Sequence, residues 1–396
     1  HLNNIRDPKS GATFYEAIGQ LIDARYQSRA ITSIQPIPFF QNLFPGLAGT
    51  FNVLGTPTAL TATQAAYRRI AFSSVGGRNT TDYTFVQLLW DDSPNCTAFN
   101  ANFCPGPALV DNIFFHPQYG AFSAFSTIAR SNYNSAQFSL RQRLRKDITF
   151  DFNYTLSHSL DNASGLQVSG AYGSAFIVNP LDPDQNYASS DFDLRHVINA
   201  NWLIGLPFGR GKAFMSDTNS VVDALLGGWQ LTGIFRWNSG LPIQTPFDAD
   251  RWATNWNVQS NGVRVRPLQS SPTRTGDPNI FSDPTAAFQS FRNARPGEVG
   301  DRNVLRAPGN ISLDAGLYKT FKMPWEGHSL QFRWEVYNVT NTQRFDGDTI
   351  EDLSLPRDPF RGQTPGPDFG RFTSTQTSLN ENKAGRRMQF ALRYQF

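Results

Sequence analysis

Charged side chains recur at alternate positions along this chain: Arg141, Arg143, Asp151, Asp193, Arg195, Arg236, Asp314, Arg333, Glu335 and Arg393. Guanidinium and carboxylate groups gathered on one surface can do two things. They can line a polar path or seat a polar domain. They can also pair across neighbouring strands as a self-neutralising ladder, at about 0.2–1 kcal/mol per pair. Their mixed signs argue against a filter for one type of ion. Catalytic chemistry is poorly served. His1, His116, His158, His196 and His328 lack zinc-type spacing. There is no Gly-x-Ser-x-Gly, phosphate loop or dinucleotide fingerprint. The sequence reads as a protein that is not an enzyme.

Two further groups of residues invite a chemical reading. Cys96 and Cys104 stand close together in a Pro/Asn-rich segment. That spacing suits a small disulfide loop in an oxidising compartment, with two free thiols as the alternative. The acidic pairs Asp91-Asp92, Asp182/Asp184 and Asp191/Asp193 offer oxygens to a hard cation such as calcium. None matches an EF-hand, and Asx-turn chemistry accounts for them as well. No other cofactor is expected.

The elements that must position the charges are strands. From Ser131 onward the chain alternates. Ala136, Phe138 and Leu140 interleave with Gln137, Ser139 and Arg141; after a short turn, Ile148, Phe150, Phe152, Tyr154 and Leu156 interleave with Thr149, Asp151, Asn153 and Thr155. Period 2 with one apolar face predicts a long β-hairpin. The same alternation predicts strands over 192–204, 229–237, 311–317, 330–336 and 386–396. In the last of these Phe390, Leu392, Tyr394 and Phe396 share a face. An apolar outer face, a polar inner face and an aromatic rim describe a transmembrane barrel strand, and about 9–11 residues suffice to cross.

The predicted connections run short, long, medium, long, short, long, with long loops at 161–190, 246–308 and 346–384. Short turns at one end and long loops at the other are the habit of bacterial barrels. Seven strands is odd where single-chain bacterial barrels have even counts. The expectation is an all-β, antiparallel barrel segment, 118–396, belonging to a larger barrel. Residues 1–117 read as a long extracellular loop region with helices near 12–26 and 61–70. Between them lies the irregular Pro36–Pro45 segment, whose Phe39, Phe40 and Phe44, like Phe114, Phe115, Trp252 and Trp256 elsewhere, either pack a loop core or meet a ligand. Trp202, Trp229, Trp237, Trp325 and Trp334 suggest membrane-interface girdles or, alternatively, a sugar-stacking platform.

Composition sets limits on the rest. The formal net charge is +3, with 35 basic and 32 acidic residues, which is not a nucleic-acid footprint. No run approaches the ~18 apolar residues of a membrane helix. The text at His1 reads as mid-chain loop without a signal peptide, so the chain is expected to begin downstream of the protein's start.

Several stretches together resemble a family. They are Arg130-Ser-Asn-Tyr-Asn-Ser-Ala-Gln-Phe138, Phe150 to Asp161, Ser190-Asp-Phe-Asp-Leu-Arg-His-Val-Ile-Asn199, Gly228-Trp-Gln-Leu-Thr-Gly233, Phe332 to Asn341 and Arg387 to Phe396. This text is similar to the C-terminal barrel portion of TonB-dependent outer-membrane receptors, especially the large Oar-like type with a carboxypeptidase-regulatory-like domain. The resemblance implies a barrel of about 22 strands with an N-terminal plug. It also implies energised uptake of a large or scarce ligand (siderophore, oligosaccharide or peptide), with TonB and the barrel-assembly machinery as partners. The latter would read Phe390, Leu392, Tyr394 and Phe396. Plug and TonB-contacting segments are not in this sequence, and the ligand-binding residues are not assigned. The competing expectation is an outer-membrane structural or surface-interaction protein whose barrel anchors large loops. A weaker third is a soluble all-β binding protein.

Overall fold

The computed structural model describes residues 4–72, 74–75, 78–79, 126–145, 147–165, 177–179, 181–243, 260–273, 276–345, 350, 353, 355, 364–375 and 385–396. Seven long strands dominate it: β1 (Ser131–Arg145), β2 (Ile148–Asp161), β3 (His196–Gly205), β4 (Trp229–Asn238), β5 (Asn310–Lys322), β6 (Ser329–Tyr337) and β7 (Arg387–Gln395). They form one antiparallel sheet in which each pairs only with its neighbours in sequence. A two-residue strand, Ala188–Ser189, adds to the far end of β2. The antiparallel barrel segment expected from the sequence is thus present, as an open sheet whose outer strands are β1 and β7. No helix among the described residues is long and apolar enough to cross a membrane, which leaves crossing by strands untouched.

Register turns alternation into two continuous faces. On one, Phe138, Tyr154, Ile198, Trp237 and Ile311 fall into a single row. A second row holds Leu140, Phe152, Ala200, Phe235 and Leu313. Towards the other end, Ile148, Ile204, Leu231, Leu317, Trp334 and Phe390 make a third. The opposite face is mostly polar and charged, with Val197, Leu203, Ile234 and Ala391 interspersed. A one-residue slip would exchange the faces, so the apolar rows fix the pairing.

Gly233 has a packing role on the apolar face. A Cβ there would fall inside the Trp202 ring. The indole of Trp202, its register partner, therefore lies across the bare backbone and fills the place of a side chain.

Strand limits differ from expectation in two places. The third strand starts at His196, not Phe192, because Asp193 is drawn away to accept the Ser159 backbone N–H at 2.7 Å and to pair with Arg306. The fifth runs on to Lys322, since Lys319 occupies a position on the apolar face and broke the sequence pattern.

Residues 4–72 fold as a small lobe. α1 (Phe14–Tyr26) carries a capping box between Thr13 and Glu16. α2 (Pro38–Leu43) occupies the segment expected to be irregular. α3 (Ala62–Phe72) follows a cap in which Gln64 N–H donates to Thr61 Oγ1 and Thr61 N–H to Gln64 Oε1. A hairpin, Gly49–Val53 with Thr56–Leu60, was not foreseen; its turn residues Leu54 and Gly55 have φ of 51° and 89°. Phe39, Phe40 and Phe44 are fully buried with Ile18, Leu21 and Leu47. These three phenylalanines pack the lobe and are not available to a ligand.

Two further helices sit in the connections: α4 (Ser220–Leu226) between β3 and β4, and α5 (Pro284–Phe288) between β4 and β5.

The loops after β4 and β6 share one core. Ile280, Phe281, Phe288 and Leu305 from the first pack with Phe345, Phe369 and Phe372 from the second. The bridge Asn279–Arg371 joins their backbones, flanked by Ile280 N–H to the Gly370 carbonyl and Phe372 N–H to the Pro278 carbonyl, each at 2.9 Å. Arg295 reaches Asp23 of the lobe at 2.6 Å.

Candidate functional site

The polar face carries the charges singled out from the sequence. Arg141, Asp151, Asn201 and Asp314 belong to one row, and Arg236 stands beside Asn199 and Ser312. Arg143, Arg333, Glu335 and Arg393 occupy the same face in register. Arg141 Nε donates to Asp151 at 2.7 Å, one rung of the ladder. Glu335 accepts from the Tyr318 and Tyr337 hydroxyls at 2.8 and 3.1 Å. Arg333 lies over the Tyr318 ring at 5.6 Å and donates to Gln331. Asp314 accepts the Asn338 N–H at 2.8 Å. On the strands five arginines face three carboxylates among these residues, so the face is basic and only partly self-neutralised.

Asp193 and Arg195 stand apart. They precede β3, at the end of the sheet where the long loops gather. There the polar groups are buried and form a collar. Arg302 donates to Asp161 Oδ1 at 2.8 Å, to the Asp161 carbonyl at 3.0 Å and to Asp191 at 2.8 Å. Ser164 accepts from the same guanidinium. Asn303 Nδ2 donates to Asp191 at 2.7 Å and to the Ser189 carbonyl at 2.8 Å. Arg306 pairs with Asp193, whose carboxylate is 1% exposed. Arg302 and Asp161 are themselves buried. Buried ions persist only when paired and hydrogen-bonded, and each of these is. Nothing local marks Arg302 or Arg306, because the carboxylates they meet lie more than a hundred residues away.

The acidic residues weighed as calcium ligands are engaged by cations and amides. Asp184 pairs with Arg130 at 3.0 Å, and Asp182 accepts from Gln185 at 3.1 Å. Asp191 and Asp193 serve the collar. Asp91, Asp92, Cys96, Cys104, Phe114, Phe115, Trp252 and Trp256 lie outside the described residues. No group of three or more potential metal ligands occurs among the described residues.

The aromatics on the apolar face sort by level. At the loop end Tyr154 donates to or accepts from His196 Nδ1 at 2.9 Å, beside Trp237. At the turn end are Trp229, Trp325, Tyr394 and Phe396, with the Tyr394 hydroxyl 2.6 Å from His328 Nδ1. Trp202 and Trp334 lie between these levels, the first over Gly233 and the second stacked on Phe390 at 5.9 Å. From Ile311 to Lys319, the register partners of Trp237 and Trp229, β5 advances about 26 Å at ~3.3 Å per residue. At the usual tilt of about 35–45° that projects to roughly 20 Å, so both aromatic levels fall within the ~25 Å apolar band of an outer-membrane barrel.

A family model described as outer membrane beta barrel domain matches residues 76–389. The chain belongs to that family. No curated protein and no solved structure matches it. Family membership places this outer membrane barrel domain in the bacterial outer membrane, where the apolar face of a barrel strand is the one that meets lipid. β7 presents Phe390, Leu392 and Tyr394 on that apolar face, and Phe396 follows at the chain end, 93% exposed.

Proposed function

We propose that this outer membrane barrel domain is the C-terminal part of a TonB-dependent receptor that imports a large or scarce ligand by energised uptake. The observation that carries the reading is the union of a basic, half-neutralised strand face with a folded cap of loops held over one end by the Arg302 collar. A passive anchor has no need of a wide polar face. In this reading the loop end is extracellular, the turns and Phe396 are periplasmic, and the polar face looks into the lumen toward a plug. The free edges of β1 and β7 pair with further strands, because unsatisfied backbone groups in lipid cost several kcal/mol each. TonB, the plug and the barrel-assembly machinery are the partners, and the protein is not an enzyme.

The second reading is a surface-interaction protein whose barrel anchors the loops. The separately cored lobe of residues 4–72 favours it, since such a lobe can bind a partner without any transport.

Peptide mapping of the protein purified from outer membranes tests the choice. Uptake requires peptides of a plug and of additional strands from the same polypeptide. A mature polypeptide that starts at His1, with no companion chain, would defeat the uptake reading in favour of the anchor.

A further inference from the structure

The connection between β3 and β4 is folded, unlike the short turn between β1 and β2 at the same end of the sheet. α4 is capped by Asn219, whose side chain accepts the Val222 N–H at 2.9 Å. Asp223 accepts the Arg210 N–H at 2.6 Å, and Arg210 in turn donates to the Thr218 carbonyl and Ser220 Oγ. Lys212 pairs with Asp147 of the β1–β2 turn at 2.5 Å. Lys212 therefore ties the segment to the sheet end, and the other bonds fold it on itself.

The side of the sheet that α4 occupies follows from register. Trp229 and Lys319 are cross-strand partners on the apolar face, with Phe332 next in the row. Trp229 Nε1 donates to the Leu225 carbonyl at 2.9 Å, and Lys319 Nζ donates to the Gly227 carbonyl. Both tethers leave from the apolar face, so α4 packs on the lipid side. Lys319 stands in these apolar rows and is 3% exposed. It is held at the helix C-terminus, where the macrodipole favours a cation, and near the faces of Trp229 and Phe321 at 5.4 and 5.1 Å. On the free side of α4, Val221 and Leu225 stand one turn apart, 70% and 63% exposed, with Leu226 beside them at 50%.

We propose that α4 is an interfacial foot: it lies in the lipid leaflet at the turn end, with Val221, Leu225 and Leu226 among acyl chains. The occupant follows from continuity. The free apolar side of α4 extends the rows that already face lipid, at the level of the Trp229 and Tyr394 girdle, where an amphipathic helix settles at the boundary of headgroup and chain. The proposal rests on family membership and on the apolar rows meeting lipid, and not on the transport reading.

The test uses the protein as isolated from membranes, reconstituted into phosphatidylethanolamine–phosphatidylglycerol liposomes. These carry a phospholipid with a diazirine in its acyl chain. After photolysis, adducts are mapped by peptide mass spectrometry. The expected result is labelling of Val221, Leu225 or Leu226 at a yield comparable to Phe152 and Phe235, and at least about tenfold above residues 301–306. Lys319→Met should lower the α4 yield several-fold and leave Phe152 unchanged. Labelled strands with an unlabelled α4 would overturn the proposal, whether the helix then meets water, a second copy or another protein. Unlabelled strands would overturn the lipid-face reading itself, and the foot with it. An unchanged α4 yield in Lys319→Met would remove the tether from the proposal.

Discussion

Arg302 and Asp161 meet at 2.8 Å although 141 residues separate them in sequence, and both side chains are less than a tenth exposed. The pair joins the loop after β4 to the tip of β2. Removing the cation leaves a carboxylate buried without compensation, which costs about 3–5 kcal/mol. Arg302→Met should therefore release the loop. Hydrogen exchange at residues 297–306 should accelerate by two to three orders of magnitude, at about 1.4 kcal/mol per tenfold, with β5 and β6 unaffected. Unchanged protection in that variant would show that the collar does not hold the loop.

Phe152 and Asn153 are adjacent on β2 but face opposite ways. Phe152 sits between Leu140 and Ala200 in the apolar rows, and Asn153 accepts from Ser139 Oγ at 2.8 Å on the polar face. Phe152→Arg should impair assembly, with a penalty of about 2–4 kcal/mol near the membrane midplane, while Asn153→Arg is tolerated. The heat-modifiable, protease-resistant band on gels reads the difference. Equal behaviour of the two variants would count against lipid on the Phe152 face.

Gly233 and Trp202 should show coupling. Gly233→Val pushes a side chain into the indole, and overpacking of this kind costs about 1–3 kcal/mol. Trp202→Ala alone also destabilises by uncovering the glycine. In the double variant valine occupies the vacated space, so the two losses should sum to more than the measured effect. Strict additivity in thermal denaturation of the detergent-solubilised barrel would refute the packing role given to Gly233.

Asp7 predicts how the 4–72 lobe responds to acid. Burial alone would raise its pKa, but donors from Ser10, Asn42 and the backbone N–H groups of Lys9 and Ser10 outweigh it and hold the carboxyl at about 2. The folded value lies below the ordinary one, so the stabilisation is complete above about pH 4. It is lost as pH falls through the folded value. Pepsin should release peptides from residues 4–43 far faster at pH 2 than at pH 4. Asp7→Asn should remove most of that pH step, since no proton is then taken up at this site.

The strands were legible because a sheet with two different environments writes period 2 directly into the chain, as in Phe150 to Leu156. The limits of that signal are physical too. Lys319 hides the last residues of β5, 319–322, since a lysine in an apolar row reads as the end of a strand unless the carbonyl it meets, that of Gly227, is known. α2 and the Gly49–Leu60 hairpin were lost among prolines, and Thr56-Pro57-Thr58 in particular does not read as a strand. Phe39, Phe40 and Phe44 left two uses open until the lobe core closed around them. The collar was invisible: Arg302 has no local pattern, and only the fold brings Asp161, Asp191 and Ser164 to it.

The order of strands along the sheet is their order along the chain, and this bears on how the molecule is built. Each new strand needs only the one just before it as a template, so the loop to be closed at every step is a single connection and never the whole chain. Pairing of this kind can advance strand by strand as a polypeptide is delivered in sequence, without waiting for distant segments to meet. The longest intervals between successive pairings are the stretches from β2 to β3, β4 to β5 and β6 to β7. The slow stages of insertion should then be set by the folding of those loops, and mutations in their shared Phe281–Phe369 core should delay assembly while leaving the finished strand pairing unchanged.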